Sequence, residues 1–400
     1  AYNHWRHELL SWGQRYGNKQ DDFFKRMAIC IIIVTLIAVK AVWVSYATSR
    51  HGSFEREKKE ITQRAKYLTS KVVTTPQKLL DEMPSGIGTQ FQGEWALYSC
   101  SMTCAALANI AMLYPKKKEL SIKYIGLIID IAMSEEIREY DRMRWKEDPL
   151  EGIEGKKSHI SYYSHLAWMM SAYKQIGGDR KYDGVYYSLC KAMNRRIRQS
   201  PILNLPTYPG ESVYVPDMLV AIVALANYSH QNNGEYAETV KMWMERAKTE
   251  WVDKNTGLLA SFLPFDDETL VKGSYSALNC YYLTFIDEVF AKEQYEKLKR
   301  AFLQASPVMG FKEYCDRSCW FGMDIDAGPV ILNLSPSGTA FAIGAATYFQ
   351  DMKVRNGLLK TAEIAGTTIT RFGKSYYLLA NIALVGETIV LAMRTSVKWK

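Results

Sequence analysis

The chain is poor in the residues and motifs that identify many enzyme classes. Only seven of its 400 residues are cysteine, and neither a C-x-x-C pair nor histidines at metal-ligand spacing accompany them. We therefore expect no metal site and no cofactor. The sequence also lacks a phosphate-binding loop, a dinucleotide fingerprint and the G-x-S-x-G elbow of serine hydrolases.

The excess positive charge is confined to the N-terminal region. The formal net charge is +8, and residues 1–66 contribute 12 Lys and Arg against 6 Asp and Glu, which gives +6. The other 334 residues therefore carry only +2. Because a nucleic-acid-binding domain concentrates basic residues on its own surface, we expect no nucleic-acid partner.

One long apolar run lies near the N-terminus. Residues 27–48 contain a single charged residue, Lys40, and match the roughly 20 residues that a helix needs to cross a bilayer. We predict a single-pass transmembrane helix. A cleaved signal peptide is the alternative, because Lys25 and Arg26 precede the 13 apolar residues of 27–39 and a small-x-small motif at 45–47 follows them. The 26 residues before the run are long for a signal peptide and favour the anchor.

These patterns divide the chain into four segments. We assign 1–26 to an N-terminal segment, 27–48 to the transmembrane helix, 49–79 to a charged helical stalk and 80–400 to one globular domain. Five Lys and Arg precede the apolar run and six lie in residues 49–66, so the charges do not orient the helix in the membrane.

The globular segment alternates between nearly apolar and amphipathic helical stretches, about eleven in all. Residues 218–228 (MLVAIVALANY) are apolar on every side, whereas 235–250 (EYAETVKMWMERAKTE) are charged on one face. The first kind of helix must be enclosed and the second covers it. We predict an all-α domain of two concentric helical rings, an (α/α)6 toroid. An α-solenoid would show a repeat of fixed length, which the sequence lacks.

Two carboxylate pairs lie in polar loops that precede apolar helices. Glu211 and Asp217 flank the start of one helix, and Asp324 and Asp326 lie in the long loop 311–337. Burial of neighbouring carboxylates drives their pKa values apart, which acid–base catalysis requires. The alternatives are structural: Asp217 stabilises the first turn of its helix, and the other pair anchors its own loop.

Polar side chains also interrupt two apolar helices. His165 lies in an aromatic helix at a spacing of four from Ser161, and a histidine in such a place is more often part of the core than catalytic. Glu94 lies at the start of the first domain helix. We take both as catalytic candidates, and we take four tyrosines as substrate-binding candidates: Tyr98, Tyr162, Tyr208 and Tyr214.

Four segments together resemble the linalool dehydratase/isomerase-like family. They are 161–166 (SYYSHL), 177–182 (GGDRKY), 208–211 (YPGE) with Asp217, and 324–329 (DIDAGP). The resemblance runs from about residue 90 to 395 and implies an (α/α)6 toroid with a central cavity. It implies that His165 is the cavity histidine and that Glu211, Asp217, Asp324 and Asp326 line the same mouth.

The sequence departs from the dehydratase of that family at two points. Ser161 stands where a methionine is expected, and residues 208–217 lack the cysteines of the dehydratase chemistry. Linalool is therefore not the expected substrate. We expect a membrane-anchored lyase, isomerase or hydrolase acting on a terpenoid-like or other lipid-like substrate or on a glycan. The alternative is a catalytically silent toroid that is a subunit of a larger membrane complex.

Three further expectations follow. The resemblance implies an inner-membrane anchor with a periplasmic domain. We expect Cys315 and Cys319 to form a disulfide if the domain is periplasmic. We also expect the carboxylates to meet at one mouth of the toroid with no basic residue among them, which would raise at least one pKa.

Overall fold

The structure is a computed structural model that describes residues 25, 27–48, 53–84, 88–264, 271–378 and 384–399. The chain forms two compact units, Ala1–Ser53 and Phe54–Lys400. In the first unit, helix α1 (Met27–Thr48) is long and apolar enough to cross a membrane. A second helix, Phe91–Leu113, passes the same test, but it is largely buried inside the second unit and is therefore a core helix.

Fourteen helices follow in the described part of the second unit. They are α2 (Phe54–Val72), α3 (Pro76–Asp81), α4 (Thr89–Leu113), α5 (Lys118–Ala132), α6 (Glu135–Trp145), α7 (Ile160–Gln175), α8 (Asp183–Gln199), α9 (Val215–Gln231), α10 (Ala237–Thr249), α11 (Gly273–Leu283), α12 (Glu288–Phe302), α13 (Pro336–Tyr348), α14 (Met352–Gly366) and α15 (Leu384–Arg394).

Six of these helices form a closed inner ring. Around the ring, α4 packs on α7, α7 on α9, α9 on α11, α11 on α13, α13 on α15, and α15 returns to α4. Their side chains are buried almost all round, as the apolar sequences of α7 and α9 require. Gly344 of α13 permits the close approach at one junction, because a Cβ there would collide with Met393 of α15.

The amphipathic helices cover this ring. The outer partners are α5 for α4, α8 for α7, α10 for α9, α12 for α11 and α14 for α13. The protein is therefore an all-α (α/α)6 toroid, as the alternation of apolar and amphipathic segments predicts. Each inner helix follows an outer one, so all six inner helices run in the same direction and their N-termini gather at one mouth.

The sixth outer helix is α2, which the sequence analysis had placed in a stalk of residues 49–79. Helix α2 belongs to the compact unit and packs beside α15. Arg64 of α2 is fully buried, with its Nη1 3.0 Å from Glu387 of α15 and its Nε 3.0 Å from Glu60 of α2. Some of the charged side chains that predict a solvated stalk, such as Arg64 and Glu60, are therefore buried, because α2 completes the outer ring.

Two further boundaries differ from the sequence-based expectation. Helical spacing in the sequence predicts one helix over 117–145, but the structure divides this stretch at Ser134 into α5 and α6. The same spacing predicts a helix over 376–394, but this stretch begins at the end of a strand. Eight short strands occur in the described loops and pair antiparallel in order: β1 (Val213–Tyr214) with β2 (Phe262–Leu263), β3 (Leu303–Gln304) with β4 (Gly310–Phe311), β5 (Phe321–Asp324) with β6 (Gly328–Ile331), and β7 (Thr368–Arg371) with β8 (Lys374–Tyr377).

Two of these strand pairs shape the mouth. The β1–β2 pair joins the loop before α9 to the loop that leads toward α11. The β5–β6 hairpin lies in the long connection before α13, and its first strand ends at Asp324. Backbone hydrogen bonds between these short strands therefore help to hold the mouth loops in place, in addition to side-chain contacts.

Candidate active site

A cluster of carboxylates lies at the mouth formed by the inner-helix N-termini. Glu94 comes from the second turn of α4, Asp217 from the first turn of α9, and Asp326 from the turn of the β5–β6 hairpin. Besides burial, the charges of Asp217 and Asp326 raise the pKa of Glu94, and the charge of Asp326 raises the pKa of Asp217, although the three residues are separated by up to 232 residues in the sequence. The ring brings them together because their helices begin at the same end.

Glu94 and Asp217 form an asymmetric pair. Burial, followed by the nearby charge of Asp217, raises the pKa of Glu94 to about 8. Burial also raises the pKa of Asp217 to about 6, although a hydrogen bond from the Thr207 hydroxyl (2.8 Å) stabilises its charged form. Between these values Glu94 carries a proton while Asp217 is ionised, which is the division needed for proton transfer.

The hairpin acids are held by a lysine, contrary to the expectation that the cluster contains no basic residue. Lys272 Nζ lies 2.9 Å from a carboxylate oxygen of Asp324 and 2.9 Å from Asp326. It also lies 3.6 Å from the buried Glu313. Gly273 makes this position possible, because a Cβ there would collide with the Lys312 carbonyl.

Asp324 has a structural role in this arrangement. Its Oδ1 accepts hydrogen bonds from the backbone N–H groups of Asp326 (2.9 Å) and Ala327 (3.0 Å). Burial works against its charge, but the hydrogen bond from Lys272 and those from the backbone lower its pKa overall. Asp324 therefore fits the loop-anchoring alternative, while Asp326 faces the other carboxylates.

Tyrosines surround the acid pair. The phenol of Tyr208 lies beside Glu94 and opposes the rise in its pKa. Burial and then the charges of Asp326 and Asp217 raise the pKa of Tyr275. Burial raises the pKa of Tyr98 as well, with a contribution from Asp217. Aromatic faces with polar tips are common walls of small-molecule sites.

Glu211 lies at the exposed rim of the mouth. Its carboxylate is 3.0 Å from Arg144 Nη1 and accepts a hydrogen bond of 3.1 Å from the Tyr214 hydroxyl. The Arg144 guanidinium also stacks over the Tyr208 ring at 4.3 Å. Glu211 and Tyr214 thus border the site, and their mutual contacts hold the 208–214 loop in place.

His165 lies deeper in the toroid. Its Nδ1 is 2.8 Å from the Ser101 hydroxyl, and its ring lies 4.9 Å from that of Tyr98. Burial lowers the pKa of His165 to about 3, so it is neutral near pH 7 and does not titrate there. It contacts the site through Tyr98.

Two predicted features lie elsewhere. Tyr162 is fully buried and donates a hydrogen bond of 2.9 Å to the Ala132 carbonyl at the end of α5, so it faces the outer ring. Cys315 and Cys319 are both free thiols, without the expected disulfide. Within the described ranges, no group of three or more His, Cys, Asp or Glu could hold a metal ion.

A surface cavity of about 210 Å³ lies far from this chemistry, between α10 and α12. Its polar side chains are exposed or partly buried and are already paired, as in Lys248 Nζ to Asp287 at 2.5 Å. We assign it no function.

Three residues that border the site, Lys272, Tyr275 and Arg144, are not among those predicted from the sequence. The first two recur with Asn279 and Tyr282 at spacings of three or four, so they share one face of α11. This spacing in the sequence could have identified Lys272 and Tyr275 as members of one polar helix face. No sequence pattern indicates Arg144, because its position at the end of α6 depends on how α6 packs against α4.

Comparisons with known proteins add little to this description. The chain matches no family model, and no curated protein matches its sequence. Among solved structures it is similar to an unsaturated glucuronyl hydrolase specific for heparin, with a TM-score of 0.49 and 12% identity over 83% of this chain and 96% of that one.

Proposed function

We propose that this chain is an acid–base enzyme that cleaves a carbon–oxygen bond of a small hydroxylated substrate. Glu94 is the proton donor and Asp217 the proton acceptor. The observation that carries the proposal is that Glu94 and Asp217 are both buried at the mouth of the toroid, where burial and neighbouring charge raise their pKa values to about 8 and about 6. A neutral acid beside a charged base is the arrangement that general acid–base catalysis uses.

The proton balance is the same for the two substrate classes expected from the sequence. Glu94 protonates the leaving oxygen, which departs as water from an alcohol or as a sugar hydroxyl from a glycoside. Asp217 takes a proton either from the neighbouring carbon, which gives an alkene, or from a water that attacks the carbon. Lyase, dehydratase and hydrolase activities thus share one arrangement of groups.

The surrounding residues have supporting roles in this proposal. Tyr208 and Tyr275 form walls beside the acids, and Lys272 holds Asp326 in place through its ion pair of 2.9 Å. Arg144 and Glu211 form the rim through which substrate enters. His165 is assigned no proton transfer, because its pKa of about 3 leaves it neutral throughout the range from about pH 6 to about pH 8 in which Glu94 and Asp217 differ in charge.

The test is an activity screen with matched variants. Purified chain is incubated in ¹⁸O-labelled water with neutral oligosaccharides, uronic-acid disaccharides and allylic alcohols, and the products are identified by mass spectrometry. Glu94→Gln and Asp217→Asn are each expected to lower the rate by about 10²- to 10⁴-fold. The control, Asp130→Asn, removes an exposed carboxylate of α5 paired with Lys181 and should leave the rate unchanged. Equal rates in all four proteins would refute the assignment.

A further inference from the structure

One face of α11 points at the acid pair. Lys272, Tyr275, Asn279 and Tyr282 recur at spacings of three and four and therefore form one stripe along the helix. Lys272 reaches the hairpin acids. Asp217 influences the ionisation of both Tyr275 and Tyr282. Asn279 lies between these two tyrosines, so it lies on the face that borders Asp217.

Asn279 is unusual among the buried amides. It is 2% exposed, and neither its Nδ2 nor its Oδ1 has a hydrogen-bond partner among the described residues. Asn227 of α9, at 6% exposed, is the contrast, because its Nδ2 donates to the Ser171 hydroxyl at 3.0 Å. Buried polar groups are nearly always hydrogen-bonded. Two unpaired amide atoms beside a carboxylate site therefore point to a bound species.

Three tyrosine hydroxyls are also buried without a hydrogen bond of normal geometry to any described residue. Tyr98 and Tyr282 are close enough to interact, yet neither hydroxyl forms a hydrogen bond of normal geometry with any described residue. The Tyr208 hydroxyl is close enough to Glu94 to interact with it, but it forms no hydrogen bond of normal geometry in the part of the chain that the structure describes. An amide and three hydroxyls together offer several donors and acceptors around the acid pair.

We propose that Asn279, with Tyr98, Tyr208 and Tyr282, binds a neutral polyhydroxylated ligand, namely an uncharged glycosyl unit. This inference rests on the proposed acid–base function and names its substrate class. A terpenoid alcohol carries one hydroxyl and would leave most of these buried groups unpaired, which costs binding free energy for each. A sugar ring presents hydroxyls to the polar groups and C–H faces to the aromatic rings.

The local charges favour a neutral ligand over a uronate. Asp217 is ionised above about pH 6, and the cations at the mouth are already paired, Lys272 with Asp324 and Asp326 and Arg144 with Glu211. His165, neutral at pH 7, supplies no positive charge. A carboxylate on the ligand would meet an excess of negative charge.

The experiment uses the full chain in detergent, with Glu94→Gln as background so that binding is measured without turnover. The probes are a panel of neutral disaccharides of glucose, galactose and mannose with α and β linkages, a glucuronic-acid disaccharide, and linalool. Binding is followed by saturation-transfer NMR and calorimetry. We expect at least one neutral disaccharide to bind more tightly than the other two probes, and Asn279→Leu to weaken it by roughly 10-fold or more.

The thermal stability of the ligand-free variants separates a binding role from a structural one. Asn279→Leu removes an unpaired buried amide and should raise the Tm, whereas Asn227→Leu breaks a buried hydrogen bond and should lower the Tm without changing sugar binding. A lowered Tm for Asn279→Leu would overturn the inference, as would preference for linalool or the uronide, or no neutral sugar binding at all.

The two proposals fail separately. If Asn279→Leu alone had no effect while Glu94→Gln still abolished turnover, the acid pair would stand and the glycosyl assignment would fall. If sugar binding depended on Asn279 while Glu94→Gln kept full activity, the catalytic assignment would fall instead.

Discussion

At the residue scale, the site depends on how burial divides two chemically similar acids. Glu94 and Asp217 are both carboxylates, yet their pKa values are raised to about 8 and about 6 respectively. Asp217 keeps a hydrogen bond from Thr207, which favours its charged form, whereas Glu94 feels the negative charge of Asp217. Each acid therefore takes a different role near neutral pH.

This division predicts a bell-shaped pH dependence. Activity should rise through about pH 6 as Asp217 ionises and fall through about pH 8 as Glu94 loses its proton. Because both pKa values are raised by folding, these acids stabilise the fold most at low pH and lose that contribution as pH rises through the two values. A rate profile measured from pH 4 to 10 checks the first expectation. A rate that climbs steadily past pH 9 would contradict it.

At the element scale, helix α2 determines where the globular domain begins. The helix completes the outer ring, and Arg64 binds it internally to Glu60, Glu363 and Glu387. The same guanidinium lies 4.1 Å from the centre of the Tyr377 ring. Three carboxylates, each no more than 3% exposed, thus contact this buried guanidinium, and Glu60 also pairs with the buried Arg394 at 3.1 Å. Loss of Arg64 is costly, because it removes the guanidinium that pairs with Glu387 and Glu363 while both carboxylates stay buried.

Arg64→Met should therefore lower the free energy of unfolding by about 3–5 kcal/mol. The matched control is Arg142→Met on α6, whose partner Glu139 lies on the same exposed surface. Its loss should cost no more than about 1 kcal/mol. Urea denaturation of a chain starting at Phe54 measures both. Similar small losses for the two variants would show that α2 is only loosely attached.

At the scale of the whole molecule, the chain divides into two compact units. The first contains the apolar helix α1 and the second contains the closed toroid. We propose that α1 anchors the chain in a membrane. The physical basis of the anchor is the length and apolarity of residues 27–48.

Removal of the first unit should release a folded protein. A chain beginning at Phe54 is expected in the soluble fraction after salt and carbonate washes, whereas one beginning at residue 80 lacks α2 and should aggregate. Retention of the Phe54 chain in the membrane fraction would refute a single anchor.

Light scattering of the released chain also tests the alternative of a complex subunit, since such a subunit would carry other proteins with it.

The sequence by itself determined the fold class and named part of the candidate site. The alternation of apolar and amphipathic helices identified the toroid, because each kind of helix has one stable environment. Glu94 and Asp217 could be named as candidates because charged residues at the start of apolar helices are conspicuous. Periodicity cannot reveal whether a charged helix such as α2 lies in solvent or completes a ring, since its inward charges are paired by residues 300 positions away.

Only the tertiary structure decided which polar groups meet. Lys272 reached the hairpin acids, Tyr162 turned to the outer ring, and His165 became too buried to be charged at neutral pH. These outcomes depend on ring closure and on the direction of each side chain, which are long-range properties. The physical reason is that ionisation and hydrogen bonding respond to neighbours in space, whereas a helical pattern records only neighbours along the chain.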